Sequence, residues 1–187
     1  MHTILDTTIN TYEIKRSKFI TYLTPIENFK ELQLKLKKDN PKSNHLVYSM
    51  RGLNEFEQIV ENSSDDGEPK GSAGVPSLNV LRGNELIECA ILIVRYFGGI
   101  KLGVGGLARA YASATKEVIA ISDLKIYEKE IEYKFSCSYS NIQKTLYHIE
   151  KLEIKNYQRD FGINSVEWIV KTNKNSIDKL IENLCYN

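Results

Sequence analysis

The sequence predicts a two-domain α+β protein, and three observations carry that prediction. Short runs of alternating apolar residues are interleaved with helical stretches. One nearly unbroken apolar run, Leu86–Val94, suits a strand buried on both faces. Beyond Glu128 the pattern reads β-α-β-β-α, the order of a ferredoxin-like split βαβ unit whose last strand is short or absent. The domains are expected at 1–122 and 130–187, joined by a linker at 123–129.

Taken in order, Ile14–Thr24 reads as a strand that starts in a basic cluster (Lys15, Arg16, Lys18). Phe19, Thr21 and Leu23 share one of its faces, and Ile20 and Tyr22 the other. Asn28 opens a helix, with Glu31 in capping-box spacing, Phe29, Leu32 and Leu36 on one face, and Asn40-Pro41 as the stop. His45–Arg51 is a second strand, 51–54 a turn and Glu55–Glu61 a third, more polar strand. Pro76 suits the first turn of a short helix ended by Gly83, and Leu107–Ile119 is an alanine-rich helix able to pack closely on a sheet. In the second domain, Ile131, Tyr133, Phe135 and Cys137 alternate, and Ser140 caps a helix bearing Ile142, Leu146 and Ile149. A hairpin turns at Gly162 with Val166, Trp168 and Val170 on one face, and Ile177, Leu180, Ile181 and Leu184 mark a final helix.

Composition narrows the function classes. With 25 basic and 24 acidic residues the net charge is +1, so no global field draws the chain to nucleic acid and only a local basic patch would serve. The three cysteines (Cys89, Cys137, Cys185) are far apart and lack metal-ligand spacing, which suits thiols in a reducing cytosol. The N-terminal residues MHTILDTTIN do not form a signal peptide, and no stretch is long enough to span a membrane as a helix. A cytoplasmic location is expected.

Ser64–Ala112 is the stretch that carries chemistry. Of 11 glycines, nine fall between Gly67 and Gly106, interleaved with Asp65, Asp66, Glu68, Lys70, Arg95, Lys101 and Arg109. Two turn-to-helix junctions are expected, at Gly67–Gly74 and at Gly98–Gly106. A helix N-terminus offers free N–H groups and a positive dipole end, so Gly98–Gly106 suits an anion, most naturally phosphate, with Lys101, Arg95 and Arg109 near enough in sequence to supplement it. The alternative is that the glycines only make tight connections. Lys70-Gly71-Ser72 lacks the order of a phosphate loop. Gly103-Val104-Gly105-Gly106-Leu107-Ala108 satisfies a loose dinucleotide fingerprint, with Asp123 at the spacing of the ribose-binding acid. However, the strand does not run into its first glycine and no further βαβ units follow, so the match is taken as accidental.

Asp65, Asp66 and Glu68 have three readings: oxygen ligands for Mg²⁺, an acidic surface turn, or internal partners of Arg95 or Arg109. His45 reads as a general base or a packing residue, with no serine or cysteine nucleophile beside it. Tyr96 and Phe97, ending the buried strand, read as stacking platforms or as core.

The segments Asp65–Gly74, Val94–Gly103 and Gly105–Tyr111, with Ser17-Lys18-Phe19-Ile20 and His45-Leu46-Val47-Tyr48 upstream, closely resemble the YigZ/IMPACT family. The resemblance is strong over about residues 10–120. It implies an N-terminal domain like the second domain of the fifth small-subunit ribosomal protein, a sandwich also seen in elongation factor G. It implies a ferredoxin-like C-terminal domain similar to another elongation factor G domain. Eukaryotic relatives regulate translation through an added N-terminal domain, which is not expected here because the chain opens directly on the family region.

Three functions follow as expectations. The first is a non-enzymatic, translation-related regulator that binds RNA or a ribosome-associated target. In it Lys18, Lys70, Arg95, Lys101 and Arg109 meet phosphate, Tyr96 stacks, and His45, Gly98, Gly99, Gly103, Gly105 and Gly106 complete the site. The second is a Mg-dependent enzyme acting on a nucleotide or phosphorylated small molecule, with Asp65, Asp66 and Glu68 holding the metal. The third is a protein-binding regulator that uses the C-terminal sheet, and no membrane partner is expected.

Overall fold

The computed structural model describes residues 1–185, apart from the side chain of Cys185, and divides the chain into two compact units, Met1–Tyr127 and Glu128–Asn187. The first contains β1 (His2–Thr3), β2 (Thr8–Ile14), β3 (Ser17–Pro25), α1 (Phe29–Asp39), β4 (His45–Leu53), β5 (Ile59–Ser64), α2 (Gly74–Gly83), β6 (Cys89–Tyr96), α3 (Val104–Ala120) and β7 (Lys125–Ile126). Its main sheet is antiparallel, in the order β2-β3-β6-β4-β5. The apolar run places β6 at the centre, because only there are both faces covered: residues 89–95 are all buried. Cys89, Ile91 and Ile93 face α2 and α3, while Leu92 and Val94 face α1 through Leu36 and the partly buried Phe29 and Leu32. Burial raises the Cys89 thiol from its ordinary 9.0 to about 12, with Arg51 opposing and Glu88 adding slightly.

Several local expectations shift, each for a stated reason. The basic cluster at Lys15-Arg16 is not the start of a strand. It is a two-residue hairpin turn with both residues at positive φ (46° and 64°), which joins β2 to β3 in the manner of a type I′ turn. The expected strand at Glu55–Glu61 moves to β5, because Asn54 organises a loop: its side-chain oxygen accepts from the backbone N–H groups of Phe56 (3.0 Å) and Gln58 (2.9 Å). The central strand starts at Cys89 rather than Leu86, since Glu88 bends the chain with φ 53°. Neither predicted cap forms. Asn28 and Ser140 fall within short 3-10 turns (Ile26–Asn28 and Tyr139–Asn141), and no side-chain cap bond is made at α1 or at the following helix.

The second unit comprises β8 (Glu130–Cys137), α4 (Ile142–Lys151), β9 (Asn156–Phe161), β10 (Val166–Asn173) and α5 (Lys174–Cys185). Its antiparallel sheet has the order β8-β10-β9, which is the ferredoxin-like order for these strands. Val166, Trp168 and Val170 are fully buried on one face, with Ile149 of α4 and Leu180 of α5. The expectation of a short or absent fourth strand falls after α5, outside the described residues.

One close approach fixes the loop after β6. Gly98 lies against the β2–β3 turn so tightly that a Cβ there would stand 2.0 Å from the Arg16 carbonyl carbon and 2.4 Å from the Ser17 nitrogen. Its N–H donates to the Ser17 hydroxyl (3.2 Å). Both obstacles are backbone, so nothing can swing aside. Gly98→Ala is expected to destabilise the protein by about 1–3 kcal/mol, read as a lower urea midpoint with the slope unchanged.

Candidate functional site

The register of the sheet assembles the site. Phe19 of β3 and His45 of β4 flank Arg95 of β6 as direct cross-strand partners, all on the face that carries α2 and α3. Arg95 is almost completely buried, and its guanidinium lies 5.5 Å from the Phe19 ring centroid and 5.7 Å from that of Phe97. A buried cation needs a counter-charge, and Glu68 supplies it from the loop before α2. Glu68 Oε1 accepts from Arg95 Nη1 at 2.5 Å and from the Tyr111 hydroxyl of α3 at 2.8 Å. Burial first, and then the Glu68 charge, push the Tyr111 hydroxyl well above its ordinary 10.0, so it stays a donor. Glu68 thus ties the sheet to α3.

His45 and the two aspartates complete this frame. His45 Nδ1 lies 2.7 Å from the Asp66 carbonyl oxygen, which can only accept, so Nδ1 carries the proton of that bond. His45 Nε2 faces Glu68 Oε2 at 3.9 Å. Asp66 Oδ2 accepts from the Leu46 N–H (2.6 Å). Asp65 accepts from the N–H groups of Gly71 (2.7 Å), Ala73 (3.0 Å) and Gly74 (2.8 Å), and so caps α2 from eight positions upstream of its N-cap, Ala73.

These bonds correct the metal reading. Asp65, Asp66 and Glu68 do not converge on one point, because each carboxylate serves a different internal partner. Among the described residues no group of three or more His, Cys, Asp or Glu side chains is placed to hold a metal ion. The internal-partner reading is the one realised, with Glu68 on Arg95.

The two helix junctions also differ from each other. The N-terminus of α2 is already filled by Asp65. That of α3 is not: its N-cap is Gly103 (φ 73°), no side-chain cap bond is made, and its first turn has no acidic residue. This end of α3 borders a cleft of about 390 Å³ lined by His45, Glu68, Arg95, Phe97, Lys101 and Gly103, among others. Lys101 is exposed, and Phe97 keeps 44% of its surface in solvent. Arg109 is exposed one turn along α3, and its Nη1 would lie 3.7 Å from a Cβ on Gly105. One edge of the guanidinium, Arg95 Nε, is buried without a hydrogen-bond partner.

Not every expected binding residue is here. Tyr96 is on the opposite face, packed toward α1, with its hydroxyl donating to Asn40 Oδ1 at 2.7 Å. Lys18 is the cross-strand partner of Tyr96 and follows the same alternation, away from the cleft. Lys70 is exposed on the loop that Asp65 organises and does not line the cleft. Gly98 serves the turn contact described above, Gly99 is an exposed positive-φ position (85°), and Gly105 and Gly106 form the first turn of α3. The aromatic residue that does line the cleft is Phe97, held by its N–H donating to Asn44 Oδ1 (2.8 Å). Period-2 alternation from Arg95 separates the inward Tyr96 from the cleft. Nothing in the sequence pointed to Tyr111 or Asn44, whose partners are distant in the chain.

Comparison with known proteins gives consistent matches. The Impact N-terminal domain family matches residues 15–119. A protein of Haemophilus influenzae described as an IMPACT family member is 33% identical over 155 residues, covering 81% of this chain and 75% of that one. The IMPACT family member YvyE of Bacillus subtilis is 31% identical over 183 residues, covering 88% and 83%. A solved structure described as the crystal structure of a hypothetical protein aligns with a TM-score of 0.68 at 26% identity, over 98% of this chain and 90% of that one.

The buried network makes a prediction that separates its members. Glu68→Gln leaves Arg95 buried without its counter-charge and is expected to cost about 3–5 kcal/mol. Tyr111→Phe removes one neutral donor and is expected to cost about 0.5–1.5 kcal/mol. Urea denaturation of the two variants measures both, and equal losses would show that Glu68 does not balance Arg95.

Proposed function

Because the chain belongs to the IMPACT family, we propose that it is a translation-related regulatory protein that binds single-stranded RNA, free or within a ribosome-associated target, through the cleft at the start of α3. One observation carries this reading: the uncapped N-terminus of α3, the exposed Lys101 and the half-exposed Phe97 meet at one cleft above the Arg95–Glu68 pair. A phosphate takes the α3 amides and Lys101, with Arg109 one turn further on, and a base stacks on Phe97. Arg95 acts as a support. Its charge is balanced by Glu68, so it holds Phe97 from beneath and supplies little free charge. Lys18 and Tyr96 have no part in this reading, since they lie on the other face.

The enzymatic alternative is less favoured, because its three carboxylates have other partners and His45 is bonded to the Asp66 carbonyl with no hydroxyl or thiol nucleophile lining the cleft. Among the described residues no helix is long and apolar enough to cross a membrane, which says nothing of membrane-crossing strands.

Fluorescence anisotropy with a labelled unstructured oligoribonucleotide tests the reading across a salt series. Affinity is expected to fall with salt at about 0.7 log unit per log unit for each phosphate engaged, and Lys101→Ala should lower the slope by about one such contact. Phe97→Ala is expected to weaken binding by about 1–3 kcal/mol with the slope unchanged. Absent or salt-independent binding would contradict the proposal.

A further inference from the structure

The cleft at the start of α3 has two chemically distinct ends. At one, the α3 amides and Lys101 offer hydrogens to an anion. At the other, His45 and Glu68 offer lone pairs. His45 Nδ1 donates to the Asp66 carbonyl oxygen (2.7 Å), so in the neutral ring Nε2 is an acceptor. Glu68 Oε1 already serves Arg95 and Tyr111, which leaves Oε2 as the atom that faces His45 Nε2, at 3.9 Å. Two acceptors in that position have no hydrogen to share, and the separation is beyond a hydrogen bond in any case.

Of the two, His45 is the one a ligand can reach. Both line the cleft, but the His45 side chain keeps 22% of its surface in solvent against 3% for Glu68. A phosphate oxygen carries no hydrogen to give and meets a carboxylate behind the ring, so it gains nothing at this end. A hydroxyl donor does gain. His45 is also the direct cross-strand partner of Arg95, whose guanidinium lies 5.7 Å from the Phe97 ring centroid, which sets the acceptor close to the stacking platform. A nucleotide with its base on Phe97 and its phosphate at the α3 amides brings its sugar into the same cleft. Within an RNA strand the only hydrogen donor on that sugar is the 2′-hydroxyl, which DNA lacks.

We propose, resting on the RNA reading above, that His45 is a specificity-determining residue that selects ribose over deoxyribose. Its Nε2 accepts from the 2′-hydroxyl of the nucleotide stacked on Phe97. The Asp66 carbonyl fixes the tautomer that leaves Nε2 free to accept, and the buried Glu68 carboxylate turns phosphate away toward the α3 end.

The test compares a labelled uridine oligoribonucleotide with the same oligomer carrying 2′-fluorine, which keeps the ribose pucker and removes the hydroxyl hydrogen. Uracil has no amino group, so the difference isolates the sugar. At about pH 8, above the ordinary histidine range, the full chain is expected to bind the ribo-oligomer roughly three- to tenfold more tightly than the fluoro-oligomer. In His45→Asn the amide nitrogen can replace Nδ1 at the Asp66 carbonyl, but nothing stands in for Nε2, so the two oligomers should bind alike. Equal affinities on the parent protein, with binding intact, would overturn the selection of ribose and leave the RNA reading standing. A preference that survives in His45→Asn would overturn the role of His45, and binding of neither oligomer would remove both readings. Should the asparagine variant fail to fold, the ring ¹⁵N spectrum of His45 in the parent decides. Its Nε2 resonance is expected to move upfield with the ribo-oligomer and not with the fluoro-oligomer, and an equal response to both would overturn the assignment.

Discussion

The arrangement of the first unit depends on one buried ion pair. Arg95 sits in the central strand where the apolar sequence leaves no water to solvate it, and Glu68 is the carboxylate that balances it. The same carboxylate takes the Tyr111 hydroxyl, so the loop before α2, the end of β6 and the middle of α3 are joined at one oxygen atom, Glu68 Oε1. A pair of apolar residues of similar volume could fill that space with little loss of stability. What the charged pair adds is direction. Hydrogen bonds have fixed geometry, and these hold α3 and Phe97 in one position relative to the sheet.

That position explains why two similar glycine-rich junctions behave differently. Asp65 reaches the first turn of α2 because the loop between them folds back through Gly67 and Gly71, both at positive φ. Its charge satisfies the helix end from within, and the junction becomes part of the scaffold. At α3 the residues available are Gly103, Gly105 and Gly106, which have no side chain to turn inward. The positive end of that helix is left facing the cleft beside Lys101. A net charge of +1 is compatible with such a site, since the local field comes from one helix end and one or two cations.

The sequence made much of the fold legible where a single periodicity decided the outcome. Residues 19, 21 and 23 face the core as their alternation required, as do Val166, Trp168 and Val170, and the apolar run became the central strand from Cys89 onward. It failed where side chains and backbone bond locally. Lys15 and Arg16 adopt positive φ without the Asn-Gly signature of such turns, and Asn54 draws five residues into a loop that propensity alone read as strand. For the site, the chemistry-bearing stretch was visible as a density of glycine and charge, and Arg95 stood among the candidate partners of its carboxylates, but which carboxylate it takes and the part of Tyr111 were not visible. Glu68 to Arg95 and Glu68 to Tyr111 are long-range contacts with no common motif. The exclusion of Tyr96 and Lys18 follows from the facing of two strands whose pairing only the fold reveals.

The central claim is that the first unit presents one anion- and base-binding face, set by the Glu68–Arg95 pair and centred on the start of α3. Amide chemical-shift mapping of the ¹⁵N-labelled full chain with an unstructured oligoribonucleotide tests it most directly. The largest perturbations are expected on residues 97–109, with His45 beside them and Lys18 and Tyr96 little changed. Perturbations centred on the α1 face, on the β4–β5 hairpin or on the second unit, with 97–109 silent, would contradict it.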